Sequence, residues 1–199
     1  MARRPHKKPA TNTNSLGQVR IISGLWRGRK LPVHDAQGLR PTTDRVKETL
    51  FNWIAQEIPQ SRCLDIFAGS GGLGFEAASR QATQVTMLEM NRQVYQQLTR
   101  NVAALNAECI DVHHTDSLSY LDKPGQAYDI VFIDPPFRQG LIDEVITRLE
   151  NHHWLTPNAL IYIETEKELV LPPMPKHWQL LKEKQAGQVS YRLFERSES

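Results

Sequence analysis

The spacing of apolar and polar positions changes several times along the chain, and each change predicts an element. Residues 1–17 are polar and without periodicity, which predicts a disordered basic arm. From Gln18 to Val33, short β-rich pieces around Gly24 and Gly28 predict a hairpin or small two-stranded extension, with Trp26 as its anchor. Val46, Leu50, Trp53 and Ile54 then recur at helical spacing behind three N-cap candidates, Thr42, Thr43 and Asp44. They predict an amphipathic helix of about three turns ending before Pro59.

From Cys63 onward, strands alternate with helices, the pattern of a parallel sheet. A strand over C-L-D-I-F leads through A-G-S-G-G-L-G into a helix reaching Arg80, and Q-V-T-M-L-E is the second strand. Asn91 caps a helix carrying Val94, Leu98, Val102 and Leu105 on one face, and I-D-V-H-H is the third strand. His113 and His114 are read there as strand-end residues. In the fourth, Y-D-I-V-F-I-D, the apolar run is unbroken, as in a strand buried on both faces. A helix over Leu141–Leu149 and a strand over A-L-I-Y-I-E follow. Two last strands joined at Ala186–Gly187 read as an antiparallel pair on the sheet edge. The class is α/β, doubly wound and mostly parallel, in three parts: a basic arm (1–17), a β-hairpin-plus-helix extension (18–58) and a catalytic domain (59–199).

Composition narrows the setting. A chain of 199 residues, 40% hydrophobic and 23% charged, suits one soluble domain. No apolar run is long enough to predict a membrane span. M-A-R-R-P-H-K-K-P lacks the apolar stretch of a secretory signal, so the cytoplasm is expected. Cys63 and Cys109 are isolated in apolar segments and read as buried thiols, not as a disulfide or metal site. The net charge of +2 conceals an asymmetry: residues 1–50 carry 11 Lys/Arg against 3 Asp/Glu, the remainder 13 against 19. A polyanion-facing end on a mildly acidic body is expected. Its contacts would come from Arg20, Arg27, Arg29 and Lys30, and from Arg40 and Arg45 at the helix start, where backbone N–H groups favour an anion.

The chemistry sits at strand ends. Gly69, Gly71 and Gly74 form G-x-G-x-x-G between a strand and a helix, where glycine lets the backbone turn tightly against a ligand. Glu89, at the tip of the next strand, can accept both hydroxyls of a ribose. This much fits a nicotinamide dinucleotide as well as S-adenosylmethionine. Asp65 tips the balance, because it would attract a cationic amino group and repel a pyrophosphate; Asp116 can meet an adenine amine. The strongest sign is D-P-P-F, Asp134 to Phe137. Pro135 and Pro136 fix φ, remove two N–H donors and push Asp134 out of the α region. The turn thus offers a carboxylate and carbonyls to a flat amine, with Phe137 beside them to stack on its ring. An exposed Asp in a proline-rich turn is the plainer alternative.

D-I-F-A-G-S-G-G-L-G, Glu89, Asp116 and D-P-P-F resemble the motifs of class I methyltransferases acting on exocyclic amines. The block R-P-T-T-D-R-V-K-E-T-L-F-N-W, with G-L-W-R-G-R-K-L before it, resembles the RsmD family of 16S ribosomal RNA guanine-N2 methyltransferases. The likeness covers residues 18–196. It implies a seven-stranded sheet with a final β-hairpin. S-adenosylmethionine would be held by Asp65, Phe67, Gly69, Gly71, Gly74, Glu89 and Asp116, with Asp134, Pro135 and Phe137 at the target amine. The implied substrate is a guanine of the small ribosomal subunit, flipped from its stack; no metal site is indicated by the residues, and a monomer is expected. The rivals are adenine-N6, cytosine-N4 or glutamine-amide methylation, and a non-catalytic RNA-binding assembly factor.

Overall fold

The computed structural model describes residues 17–34 and 42–197. Arg40 and all but the last residue of the 1–17 arm lie outside the described residues. The extension consists of β1 (Gly17–Arg20) and β2 (Lys30–Val33), paired antiparallel with Val19 opposite Leu31, and α1 (Asp44–Trp53). Val19, Leu31 and Val33 point into the core while Gln18, Arg20 and Lys30 stay exposed, the alternation of a half-buried ribbon.

The main sheet follows: β3 (Arg62–Asp65), α2 (Gly72–Ser79), β4 (Gln84–Glu89), α3 (Arg92–Leu105), β5 (Ile110–His114), α4 (Ser117–Leu121), β6 (Tyr128–Ile133), α5 (Ile142–Asn151), β7 (Leu155–Glu166), β8 (Trp178–Ala186) and β9 (Val189–Arg196). Its seven strands lie in the order β5-β4-β3-β6-β7-β9-β8. The first five are mutually parallel, whereas β9 pairs antiparallel with both β7 and β8. The final hairpin therefore joins the sheet through its second strand, and β8 forms the edge.

β6 explains its own apolar run. Ile130 and Phe132 enter the core under α1, α2 and α3, and Val131 and Ile133 enter the core under α5. The first core also takes Val19, Ile21, Leu31, Leu50 and Phe51 from the extension. A buried carboxylate ties the extension down: Glu76 accepts the N–H groups of Ile22 (2.7 Å) and Ser23 (3.0 Å) and pairs with Arg80. Trp26 packs half-buried against the same core, as an anchor should.

Some element limits differ from the sequence reading. β3 ends at Asp65, two residues early, although the N–H groups of Ile66 and Ala68 still bond to Phe132 and Leu88 alongside. β7 starts at Leu155, ahead of the apolar run at Ala159. α4 was not expected, because its five residues are too few to register a helical period. Cys63 is buried and Cys109 half-buried, both as free thiols. No helix among the described residues is long and apolar enough to cross a membrane.

Candidate active site

β3 and β6 are neighbours, and from them the chain winds outward in opposite directions, to β4 and β5 on one side and β7 on the other. Such a reversal opens a crevice beyond the carboxyl ends of the strands. Asp65 and Glu89 end β3 and β4, Asp134 follows β6, Glu164 lies two residues before the end of β7, and Asp116 lies just beyond β5. Acidic side chains from five strands are thereby gathered along one edge.

The glycine loop turns at Gly69 (φ +50°) and Gly71 (φ +77°), and Gly71 caps α2 in the left-handed conformation. Gly74 serves packing: a Cβ there would fall 2.2 Å from Met87 Cε. Its N–H donates to Asp65 Oδ2 (3.1 Å), so Asp65 anchors the helix start from beneath. Asp65 Oδ1 is buried and makes no hydrogen bond among the described residues. Burial above all pushes this carboxyl up to about 7; the Gly74 N–H and, more weakly, the Phe67 N–H oppose the rise, and the charge of Glu89 adds to it. Glu89 accepts from Gly69 N–H through Oε2 (3.1 Å) and from Asn91 N–H through Oε1 (2.6 Å), and its carboxyl is also raised, chiefly by burial. Asp116 caps α4 through Oδ2, taking the Ser119 N–H at 2.8 Å. Phe67 packs half-buried on the α5-side core.

These groups suit S-adenosylmethionine. A buried carboxylate oxygen without a donor wants a cation's N–H. Glu89 and Asp116 keep lone pairs beyond those their backbone bonds occupy.

Asp134 is half-buried and Pro135 buried, while Phe137 is exposed at 36% of its surface, enough to stack on a ring. Thr42 donates its hydroxyl to Asp134 Oδ2 at 3.2 Å. Burial raises the Asp134 carboxyl well above the usual range, the charges of Glu164 and Asp65 push the same way, and the Thr42 hydroxyl pulls against them. Beyond the turn, Arg138 adopts φ +63° and donates its N–H to Glu166 Oε1 (3.0 Å), which ties the loop to the end of β7. Glu164 is buried and accepts the Tyr162 hydroxyl at 2.7 Å.

Thr42 and Glu164 escaped the sequence reading. Thr42 was one of three adjacent capping candidates, and Thr43 is the one that caps α1, through Val46 N–H. Glu164 did carry a signal: it closes the apolar run A-L-I-Y-I-E, one position past Ile163, which faces Ile133.

The basic residues are not all brought to this edge. Arg45 is exposed in the first turn of α1, beside Thr42. Arg27 and Arg29 lie with the hairpin loop at the far ends of α2 and α3: Leu25 N–H bonds Ser79 O, and Arg29 Nη2 reaches Ala104 O at 3.4 Å. Eight residues of α2 put about 12 Å between that loop and the glycine turn. Arg20 and Lys30 are exposed on the ribbon between. None of these five forms an ion pair with a described residue. His113 and His114 are spent on Tyr120 and Tyr95 ring contacts at the end of β5. A surface cavity of about 340 Å³ bordered by Asp129, Thr156 and Asn158 lies near the other ends of β6 and β7, away from these groups.

A strand order reversing between β3 and β6, a glycine turn over a buried aspartate, and an acidic residue closing β4 together define a class I methyltransferase. The sequence model described as "Conserved hypothetical protein 95" matches residues 19–195. The curated "Ribosomal RNA small subunit methyltransferase D" of Escherichia coli K12 is 55% identical over 190 residues, covering 96% of this chain and 95% of that protein. Its Haemophilus influenzae counterpart is 54% identical, covering 94% and 99%. The solved Escherichia coli methyltransferase yhhF superposes with a TM-score of 0.85 at 54% identity, over 92% of this chain and all of that one. The chain belongs to this family, the RsmD family of the sequence resemblance.

Proposed function

We propose that this protein transfers a methyl group from S-adenosylmethionine to the exocyclic N2 amine of a guanine in 16S ribosomal RNA. The observation that carries the reading is the Asp134 carboxyl at the end of β6, next to β3 and its glycine turn, followed by two prolines and an exposed phenylalanine. Family membership and the names of the relatives support ribosomal RNA as the substrate. When bound, the cofactor supplies a methyl group on a positively charged sulfur, so the protein's task is to position and desolvate.

Asp65 Oδ1 holds the cationic amino group, Glu89 the ribose hydroxyls, and Asp116 the adenine amine. Asp134 and the Pro135 carbonyl accept the two hydrogens of the guanine amine, while Phe137 stacks on the flipped purine. Pro135 and Pro136 keep N–H donors away from a nitrogen whose lone pair must stay unengaged. As that nitrogen gains positive charge, the raised basicity of Asp134 suits it to take one proton. Arg45 and the ribbon cations neutralise phosphates of the RNA strand. The protein acts in the cytoplasm as a monomer, without metal.

The test is nucleoside mass spectrometry of small-subunit RNA after incubation with the protein and S-adenosylmethionine. N2-methylguanine is expected. N6-methyladenine or N4-methylcytosine in its place would overturn the reading.

A further inference from the structure

An aspartate at the end of a strand is not oriented by its backbone alone. Its terminal torsion is broad, and the prolines after Asp134 fix the chain without fixing the carboxyl. The groups around that carboxyl repel or ignore it: Asp65 from β3 and Glu164 from β7 are acidic, and the Tyr162 hydroxyl is given to Glu164. Among the described residues one donor reaches it, the Thr42 hydroxyl from 92 positions earlier in the chain.

Thr42 is itself held still. The next residue, Thr43, caps α1, and its carbonyl accepts Lys47 N–H at 3.0 Å. Val46, Leu50, Phe51 and Ile54 are buried beneath the helix. Lys47, fully buried, donates from Nζ to Arg20 O at 2.6 Å and so clamps α1 to β1. Phe51 rests against Phe132 with ring centroids 5.9 Å apart, and Phe132 sits in β6 two residues before Asp134. The helix that aims the hydroxyl is thus braced on the strand that carries the carboxylate.

We infer that Thr42 is a positioning residue for methyl transfer: its hydroxyl holds Asp134 Oδ2 and turns Oδ1 toward the target amine. The inference rests on the reading of Asp134 as the amine's acceptor. At 3.2 Å the contact is long for an O–H···O bond, as catalytic hydrogen bonds often are before substrate tightens them. Donation favours the ionised carboxylate, the form that can accept the amine hydrogens. The extension thereby supplies part of the active site, not only a surface for RNA.

The experiment compares T42V, T42S and D134N in the full-length protein, using methyl transfer to small-subunit RNA and calorimetric binding of S-adenosylmethionine. T42V keeps the side-chain shape and the Thr43 cap while removing the donor. Its kcat should fall about 10- to 100-fold, as for a lost hydrogen bond to a charged group. Cofactor affinity and the KM for RNA should stay within about twofold of wild type, because the bond acts on turnover and not on uniform binding. The acid limb of the kcat profile should move to higher pH, since Asp134 protonates more easily without the donor. T42S should restore both rate and profile. Undiminished kcat in T42V, an unmoved acid limb, or a loss that T42S leaves in place overturns the inference. D134N separates the two readings: an active D134N removes Asp134 from the chemistry and Thr42 with it, whereas an inactive D134N beside a fully active T42V overturns the Thr42 role alone.

Discussion

Replacing Asp65 by Asn should make the cofactor-free protein more stable at neutral pH while weakening cofactor binding. Asp65 is 1% exposed, gives one oxygen to Gly74 N–H, and leaves the other without a hydrogen bond among the described residues. Its carboxyl is raised from an ordinary 3.8 to about 7, burial being the largest cause. The folded protein then binds more protons than the unfolded chain between pH 4 and 7, so stability falls as pH rises through that window. The full excursion corresponds to about 4 kcal/mol, an upper figure. Asparagine carries no such charge, but its amide places an unsatisfied N–H where Oδ1 was, at a pH-independent cost of about 1–3 kcal/mol. D65N should accordingly be the less stable protein near pH 4 and the more stable one by about 1–3 kcal/mol at pH 7.5, worth a few degrees in Tm for a chain of this size. Urea denaturation of both proteins from pH 4 to 8 measures the difference directly. Parallel stability curves across that range would show that Asp65 ionises normally, and a carboxyl awaiting a cation would lose its physical basis.

Cofactor binding and turnover should separate: Glu89→Ala should cost about 1.5–3 kcal/mol of S-adenosylmethionine affinity by calorimetry, and Asp134→Ala should retain affinity but lose most turnover. Equal loss of affinity in the two would contradict the assignment. Neutralising Arg20, Arg27, Arg29 and Lys30 together should weaken RNA binding and flatten its log–log salt dependence by about 0.7–0.9 for each phosphate no longer neutralised; an unchanged slope places the RNA surface elsewhere. Gly24→Ala should lower stability by roughly 2–4 kcal/mol, because φ is +78° and the new Cβ would meet Ser79 O at 1.9 Å. A wild-type melting curve for that variant would mean that the hairpin loop is not wedged against α2. Phe137→Ala should cost about 1–3 kcal/mol of RNA binding if the ring stacks on the flipped base, and unaltered RNA affinity would count against stacking.

Much of this molecule was legible in one dimension. β4 and β5 have the predicted limits, Asn91 caps α3, and Thr43 was among the candidates for the α1 cap. Periodicity and capping are local, so they survive without knowledge of neighbours. The unbroken run of β6 told that both its faces are covered, and the two prolines told that the strand ends in a rigid turn. What covers those faces, and which strand lies beside which, is a property of packing. The reversal between β3 and β6 that makes the crevice has no signature in either strand.

The same division runs through the site. Glycines, prolines and strand-end acids announce themselves by residue type at fixed spacing. How each carboxylate is used does not: Asp65 takes the Gly74 N–H, Glu89 the Gly69 and Asn91 N–H groups, Asp116 the Ser119 N–H. Nothing in the sequence marks Lys47 as buried, yet it lies on Arg20 O; Arg27 and Arg29 read as part of the basic surface, and only the fold places them a helix length from the glycine turn. Thr42 meets Asp134 only because α1 folds onto β6 across 92 residues of intervening chain. Local sequence sets backbone preference and the apolar face of each element, since those depend on a few adjacent residues. The partner of a buried polar atom is set by whichever distant segment the core brings against it, and that was decided by the tertiary structure.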